Sequence, residues 1–507
     1  MPCESGALMA ATPLALKLVG ISKSFSGVSA LEDVTLEVQA GSVHGILGEN
    51  GAGKTTLMNI IAGLMRPDSG RMEVMGVPIS LGSVRVGRVH GIGMVHQHFK
   101  LVENQSVLDN IVLAVGKSLF PRKPRKLLKD VAYWCQKLNW PLDLDAVVGS
   151  LAVGRQRRVE IIKALCGGGK ILILDEPTAA LTPAEVDELA LAVAGLAQAG
   201  MTVLFISHKL AEAVRICRTI SILRRGKLVY SGTTADLSVD QIAEKMVGAK
   251  VDVPRLAQPT RHTETPPLLE LIAVDCRIGK RRPPILKQIN LAVHRHEILG
   301  IAGVDGNGQS ELAALISGAV NPIAGRIVQR SSGNGTTPIR LGYIPEDRHK
   351  EALVLPLPIV SNLLLRNYRQ RPFARWGFGR FGTWRKHSAD LVRQYDIRCR
   401  RVEDVVATLS GGNQQKIVLA RELSQEPELI LAVNPTRGLD VGATAFVLRQ
   451  LLEARARGAA IILIHGDLDE LLSISDSVAV IHRGIVTMTA WPDTSPAQIG
   501  RLMLGGA

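Results

Sequence analysis

The sequence predicts an α/β protein with a mainly parallel core sheet, built twice along one chain. Three observations carry this. Gly48-Glu49-Asn50-Gly51-Ala52-Gly53-Lys54-Thr55-Thr56 reads Gly-x-x-x-x-Gly-Lys-Thr, the pattern of a phosphate-binding loop. Lys170 to Asp175 and Thr202 to Ser207 are short apolar runs suited to strands buried on both faces. Compared with itself, the chain also repeats at an offset of 253 to 258 residues, too long for a solenoid and right for a duplicated domain.

Taken in order, Ser42 to Leu47 suits a short buried strand, and the loop follows it. Leu57, Ile60, Ile61 and Leu64 have the spacing of one helix face, so a helix follows the loop. The section from about 99 to 164 reads as more helical, and so does 349 to 423. Leu16-Lys17-Leu18-Val19 matches Leu269-Glu270-Leu271-Ile272, and Leu31 to Leu36 matches Leu286 to Leu291. The loop at Gly48 matches Gly303 to Ser310, and Ile242 to Gly248 matches Ile499 to Gly505. The expected layout is a tail over 1–13, a first domain over 14–250, a linker over 251–267 and a second domain over 268–507. Four prolines and few apolar residues mark the linker.

Composition narrows the function classes. At 507 residues the chain exceeds a single core. No run approaches the ~18 apolar residues of a membrane span. The first residues make a poor signal peptide, and the six cysteines are scattered without a CxxC pair, which suits a reducing compartment. The net charge of +14 fits nucleic acid, an anionic membrane surface or an acidic ligand. Basic clusters at Arg122 to Lys126 and at Lys280 to Arg282 lack interleaved aromatics, so a nucleic-acid platform is not expected.

The first half holds a set of chemically capable residues. The loop glycines turn backbone N–H groups toward phosphates, Lys54 reaches the β- and γ-phosphates, and the Thr55 hydroxyl sits on Mg²⁺. Asp175 ends an apolar strand where a carboxylate orients Mg²⁺ beside a nucleotide. Glu176 stands where it polarises an attacking water as general base. His208, after the next strand, is placed by its position in the set to hydrogen-bond the γ-phosphate. Gln97 is the expected sensor of Mg²⁺ and the water. His96 and His98 have no metal-ligand context and read as structural.

In the second half, Leu409-Ser410-Gly411-Gly412-Asn413-Gln414-Gln415-Lys416 resembles the signature of ATP-binding cassette (ABC) proteins. With the phosphate loop, Gln97, Asp175-Glu176 and His208 in order, the resemblance covers about residues 14–507. It implies two tandem P-loop NTPase cassettes, each with a mainly parallel core sheet, an antiparallel β part and a helical subdomain. It also implies a head-to-tail pairing of the two cassettes within the chain. Each ATP, with Mg²⁺, then lies between one phosphate loop and the opposite signature, Ser410, Gly411, Gly412 and Asn413 serving the first loop. Phe25 falls where this family stacks a ring on adenine.

The halves differ in chemistry. Gln309 replaces Lys54, Val433 replaces Asp175, Asn434 replaces Glu176 and Gly466 replaces His208, with His465 one position early. Glu346 replaces Gln97, and Ile278 falls opposite Phe25. Conversely Ala152 and Arg155 weaken the first half's signature. The expectation is one hydrolytic composite site and one degenerate one. Such asymmetric tandem cassettes resemble the ATP-binding subunits of bacterial importers for simple sugars and nucleosides, most closely the nucleoside branch. That resemblance implies two integral-membrane permease subunits, an extracytoplasmic binding protein or lipoprotein, no nucleic acid, and a peripheral place on the cytoplasmic face of the cell membrane. It also implies permease contacts near Phe99 to Ser106 and Arg348 to Asn362. A ribose- or galactose-type sugar is the alternative solute. A soluble tandem-cassette ATPase working on ribosomes or DNA is the other class, and the short Pro-rich linker counts against it.

Overall fold

The computed structural model describes residues 13–25, 28–96, 99–115, 125–178, 181, 183–207, 209–248, 254–256, 266–277, 284–304, 306–330, 339–376 and 378–505. The chain divides into two compact units, Met1–Val251 and Asp252–Ala507. The expected α/β class with mainly parallel core sheets is what both units show.

In the first unit a six-stranded sheet runs in the order Lys227–Thr233, Thr219–Arg224, Val43–Leu47, Thr202–Ser207, Ile171–Asp175, Ile92–Val95. All neighbours are parallel except the outer pair Lys227–Thr233 and Thr219–Arg224. Every residue of the three strands Val43–Leu47, Thr202–Ser207 and Ile171–Asp175 is buried, as their unbroken apolar runs require. A second, antiparallel sheet takes the order Val28–Gln39, Leu14–Phe25, Ser69–Val74, Val77–Ile79. Its inward residues Leu16, Leu18, Leu31 and Leu36 join Leu57, Ile60 and Ile61 in one core. Helices Val107–Val115, Arg125–Leu138 and Val153–Leu165 form the helical part.

The helix after the loop spans Lys54–Ile61, shorter than the spacing suggested. Gly63 takes φ 78°, a left-handed position that stops the helix, and Leu64 beyond it is 52% exposed rather than on the buried face.

The second unit repeats the plan with Leu341–Ile344, Leu429–Val433, Ala460–His465, Ile298–Ala302, Ser477–His482 and Ile485–Met488, in that order. Beside it lies an antiparallel sheet of Leu286–Val293, Leu269–Cys276 and Ala324–Gln329. The helical part carries a small hairpin, Ala374–Arg375 with Phe378–Gly379.

One difference lies in the strand that feeds the loop. His44 is 3% exposed, its Nδ1 2.8 Å from Thr219 Oγ1 and its Nε2 2.9 Å from Ser221 Oγ. Burial pushes its pKa down to about 4. In the second unit Leu299 takes that place, level with Ser477.

Candidate functional site

The first phosphate loop joins the buried strand Val43–Leu47 to the helix Lys54–Ile61. Gly53 precedes the helix at φ 103°, and a Cβ there would come within 2.5 Å of the Ala30 carbonyl oxygen. Only glycine fits such a turn. Lys54 is buried, and its Nζ donates to the carbonyls of Gly48 at 2.7 Å and Glu49 at 3.0 Å. The ammonium therefore lies inside the curl of the loop. Ala52 is buried, Thr55 is exposed and Thr56 half-buried at the helix start.

Strand register brings the other groups to the same edge. Leu47, the last residue before the loop, is level with Ser207, and Asp175 is level with Ile206. The buried Asp175 carboxyl thus stands at the carboxyl end of the sheet, where ligands of open α/β sheets collect. Glu176 follows at φ 46°, and its N–H donates to the Ile206 carbonyl at 3.0 Å. A left-handed glutamate costs about 1 kcal/mol, strain of the sort held at working sites. Gln97, His98 and His208 lie outside the described residues. Phe25 ends its strand exposed, with Lys23 Nζ 5.7 Å from the ring centre, so the ring is no part of the core.

The corresponding place in the second unit keeps the backbone and loses the chemistry. Asn434 has φ 42° and donates its N–H to the Ile464 carbonyl at 2.8 Å, as Glu176 does to Ile206. Its side-chain oxygen accepts from the Gly466 N–H at 2.9 Å. Val433 ends the strand without a carboxylate. The Gln309 amide folds into its own loop: Nε2 donates to the Val304 carbonyl at 2.7 Å, and Oε1 accepts from the Asn307 N–H at 3.0 Å. Asn307 donates to the same carbonyl at 2.8 Å and accepts from the Arg483 N–H at 2.8 Å. Asp305 and Ile278 lie outside the described residues.

The family model described as "ABC transporter" matches residues 31–179 and again 286–437. The chain belongs to the ABC transporter family. It is an ATPase of the ATP-binding cassette kind, with two cassettes in tandem. It is 36% identical to the nucleoside import ATP-binding protein NupA of Lactococcus lactis, covering 97% of this chain and 98% of that one. It is 38% identical to the guanosine import ATP-binding protein NupO of Bacillus subtilis, covering 97% of each. It is 37% identical to the ribose import ATP-binding protein RbsA 2 of Burkholderia ambifaria, covering 94% of each.

The ABC signature segments start two similar helices, Val153–Leu165 and Gly411–Leu423. Ser410 caps the second, and its Oγ accepts from Asn413 Nδ2 at 2.9 Å. Asn413 Oδ1 in turn accepts from the Arg398 N–H at 2.8 Å. Gly411 leaves room for Arg348, whose Nη2 would lie 2.7 Å from an added Cβ. Neither helix is capped by a side-chain hydrogen bond to its backbone; in the first cassette Ala152 lacks the hydroxyl of Ser410, and Val153 stands where the second has Gly411.

Three features escaped the sequence reading. Arg157, buried on the first signature helix, donates to the His96 carbonyl at 3.0 Å, and its guanidinium lies 4.7 Å from the Phe99 ring centre. It grips the chain on both sides of Gln97. Its only sequence signal is the change from Gln415 in the second cassette. Burial lowers the basicity of Arg157 and of His96 nearby. Glu346, which replaces Gln97, is salt-bridged to Arg437. His465 is buried against Thr436, Nε2 to Oγ1 2.7 Å, and Thr436 donates to Glu470 at 2.6 Å. The displaced histidine thus ties the strand end to the helix Leu468–Ile474.

Proposed function

We propose that this chain hydrolyses ATP to drive import of nucleosides through two separate permease subunits, working peripherally on the cytoplasmic face of the membrane. The observation that carries this is the end-to-end likeness to ATP-binding proteins named for nucleoside and guanosine import. Among the described residues no helix is long and apolar enough to cross a membrane, which fits separate permeases. An extracytoplasmic binding protein or lipoprotein delivers the solute in this reading. The cassettes span 14–250 and 268–507, joined by 251–267, with helical subdomains at about 99–164 and 349–423.

Each residue has a part to play at the first loop. Gly48, Glu49, Asn50, Gly51, Ala52, Gly53, Lys54, Thr55 and Thr56 cradle the phosphates, and Phe25 covers the adenine. Thr55, Asp175 and Gln97 would hold Mg²⁺, a hard ion suited to their oxygen donors, which neutralises phosphate charge when bound. Glu176 takes the proton of the attacking water, and His208 steadies the γ-phosphate. By family pattern, Ser410, Gly411, Gly412 and Asn413 close over the same nucleotide. The second loop lacks the lysine, the carboxylate and the base, and we assign it little or no turnover.

Turnover of Glu176→Gln and Asn434→Gln chains decides the assignment. Removing the base lowers the rate by about 10²–10⁴-fold, while the Asn434 variant keeps it. The reverse result overturns the reading. The ribose relative keeps a simple sugar as the second candidate solute. Direct binding of guanosine or ribose to the solute-binding protein that works with this chain chooses between them.

A further inference from the structure

We infer that the second unit carries a lipid-docking hairpin: residues 366–386 present exposed aromatic and arginine side chains to an anionic membrane surface. The segment holds three of the chain's 8 phenylalanines and two of its 5 tryptophans. It has six arginines and one lysine, and no aspartate or glutamate.

The base of the hairpin is fastened. Phe373 is buried, with its ring 4.9 Å from that of His387. Its carbonyl accepts from Trp384 Nε1–H and from the Arg380 N–H, each at 2.8 Å. Trp384 packs so closely on Gly379 that an added Cβ would lie 2.8 Å from its ring. From this base Ala374–Arg375 and Phe378–Gly379 project as an antiparallel pair.

The tip is built the opposite way. Trp376, at the turn, is 86% exposed and Phe378 80%; beside the base Phe381 opens the helix Phe381–Gln394, its ring 4.9 Å from that of Trp384, and is still 67% exposed. Three large apolar side chains held in water on a rigid support mark an interaction surface. Arg366 and Arg385 are neutralised by Glu422 and Glu403. Among the described residues Arg371, Arg375 and Arg380 have no acidic partner, and all three are exposed. Tryptophan and phenylalanine settle at the headgroup boundary, and guanidinium groups pair with anionic headgroups, about fivefold in affinity for each cation near the surface. Charge complementarity therefore selects an anionic lipid leaflet as the occupant. The inference rests on this hairpin and stands whatever solute is carried.

Flotation of the purified full-length chain with vesicles tests it. The chain binds phosphatidylcholine vesicles containing about one-third phosphatidylglycerol, with pure phosphatidylcholine much weaker and added salt weakening the contact. Arg371→Gln/Arg375→Gln/Arg380→Gln lowers binding about 10²-fold, and Trp376→Ala/Phe378→Ala/Phe381→Ala also releases the chain. Arg71→Gln/Lys129→Gln/Arg326→Gln, which removes equal charge elsewhere, keeps its affinity. Single variants Arg375→Gln and Trp376→Ala guard against a failure to fold, and ATP turnover reports the integrity of every variant. Equal losses in the tip and control variants overturn the proposal. So does full vesicle binding by tip variants that have lost only a permease subunit or an RNA.

Discussion

Replacing His44 by glutamine removes a titrating group from the middle of the first unit's sheet. The ring is 3% exposed between two hydroxyls, and its pKa falls from 6.5 to about 4. A proton on His44 thus favours the unfolded chain. Stability from this group is whole above pH about 6.5 and drains away as pH falls toward 4. At 1.36 kcal/mol per pKa unit, lowering the pH from 6.5 to 4.5 costs the first unit about 2 kcal/mol through His44 alone. Glutamine offers a donor and an acceptor to Thr219 and Ser221 without titrating. Urea unfolding of wild type and His44→Gln at several pH values measures the effect. The readout is the change with pH in the difference between the two, so a constant offset from imperfect packing does not interfere. Unfolding of the second unit, with Leu299 at this position, is not altered by the substitution. A wild-type-minus-variant difference that stays flat between pH 6.5 and 4.5 refutes the reasoning.

Two substitutions extend the loss of turnover expected for Glu176→Gln and the vesicle release expected for the hairpin variants. Gly53→Ala forces an L-residue to φ 103° with its Cβ 2.5 Å from the Ala30 oxygen. Backbone strain alone weakens nucleotide binding by about tenfold, read by titration with a fluorescent ATP analogue; unchanged affinity refutes it. Asp476→Ala leaves Arg455 without the carboxylate it grips at 2.6 and 2.7 Å, and the Ile298 N–H without its acceptor. The second unit loses about 3 kcal/mol, visible as an earlier urea midpoint for that unit. An unmoved midpoint counts against the pair as a clamp.

What could be read from the residues was local or periodic. The strands Ile171–Asp175 and Thr202–Ser207 announce themselves because a strand buried on both faces has no polar side to confuse the pattern. The phosphate loop is legible because its glycines and Lys54 are contiguous. Leu64 misled because periodicity ignores where a glycine ends the helix. The grip of Arg157 on His96 and Phe99 was hidden, since it joins a helix to a segment far away in the chain. The hairpin was overlooked for another reason. Its arginines are interspersed with aromatics, so no run of adjacent charges stands out, and the exposure of Trp376 depends on the chain turning at that residue. The inward fold of Gln309 depends on loop geometry that a substitution alone does not reveal.

That inward fold has a consequence for how the halves respond to their surroundings. The Gln309 amide and Asn307 stitch the second loop shut from within, donor to acceptor, with no foreign anion needed to complete it. We infer that this loop holds its shape without help from a nucleotide. In the same reading the loop with Lys54 is stabilised whenever a triphosphate binds there, so heat resistance gained on adding ATP gauges how full that loop is.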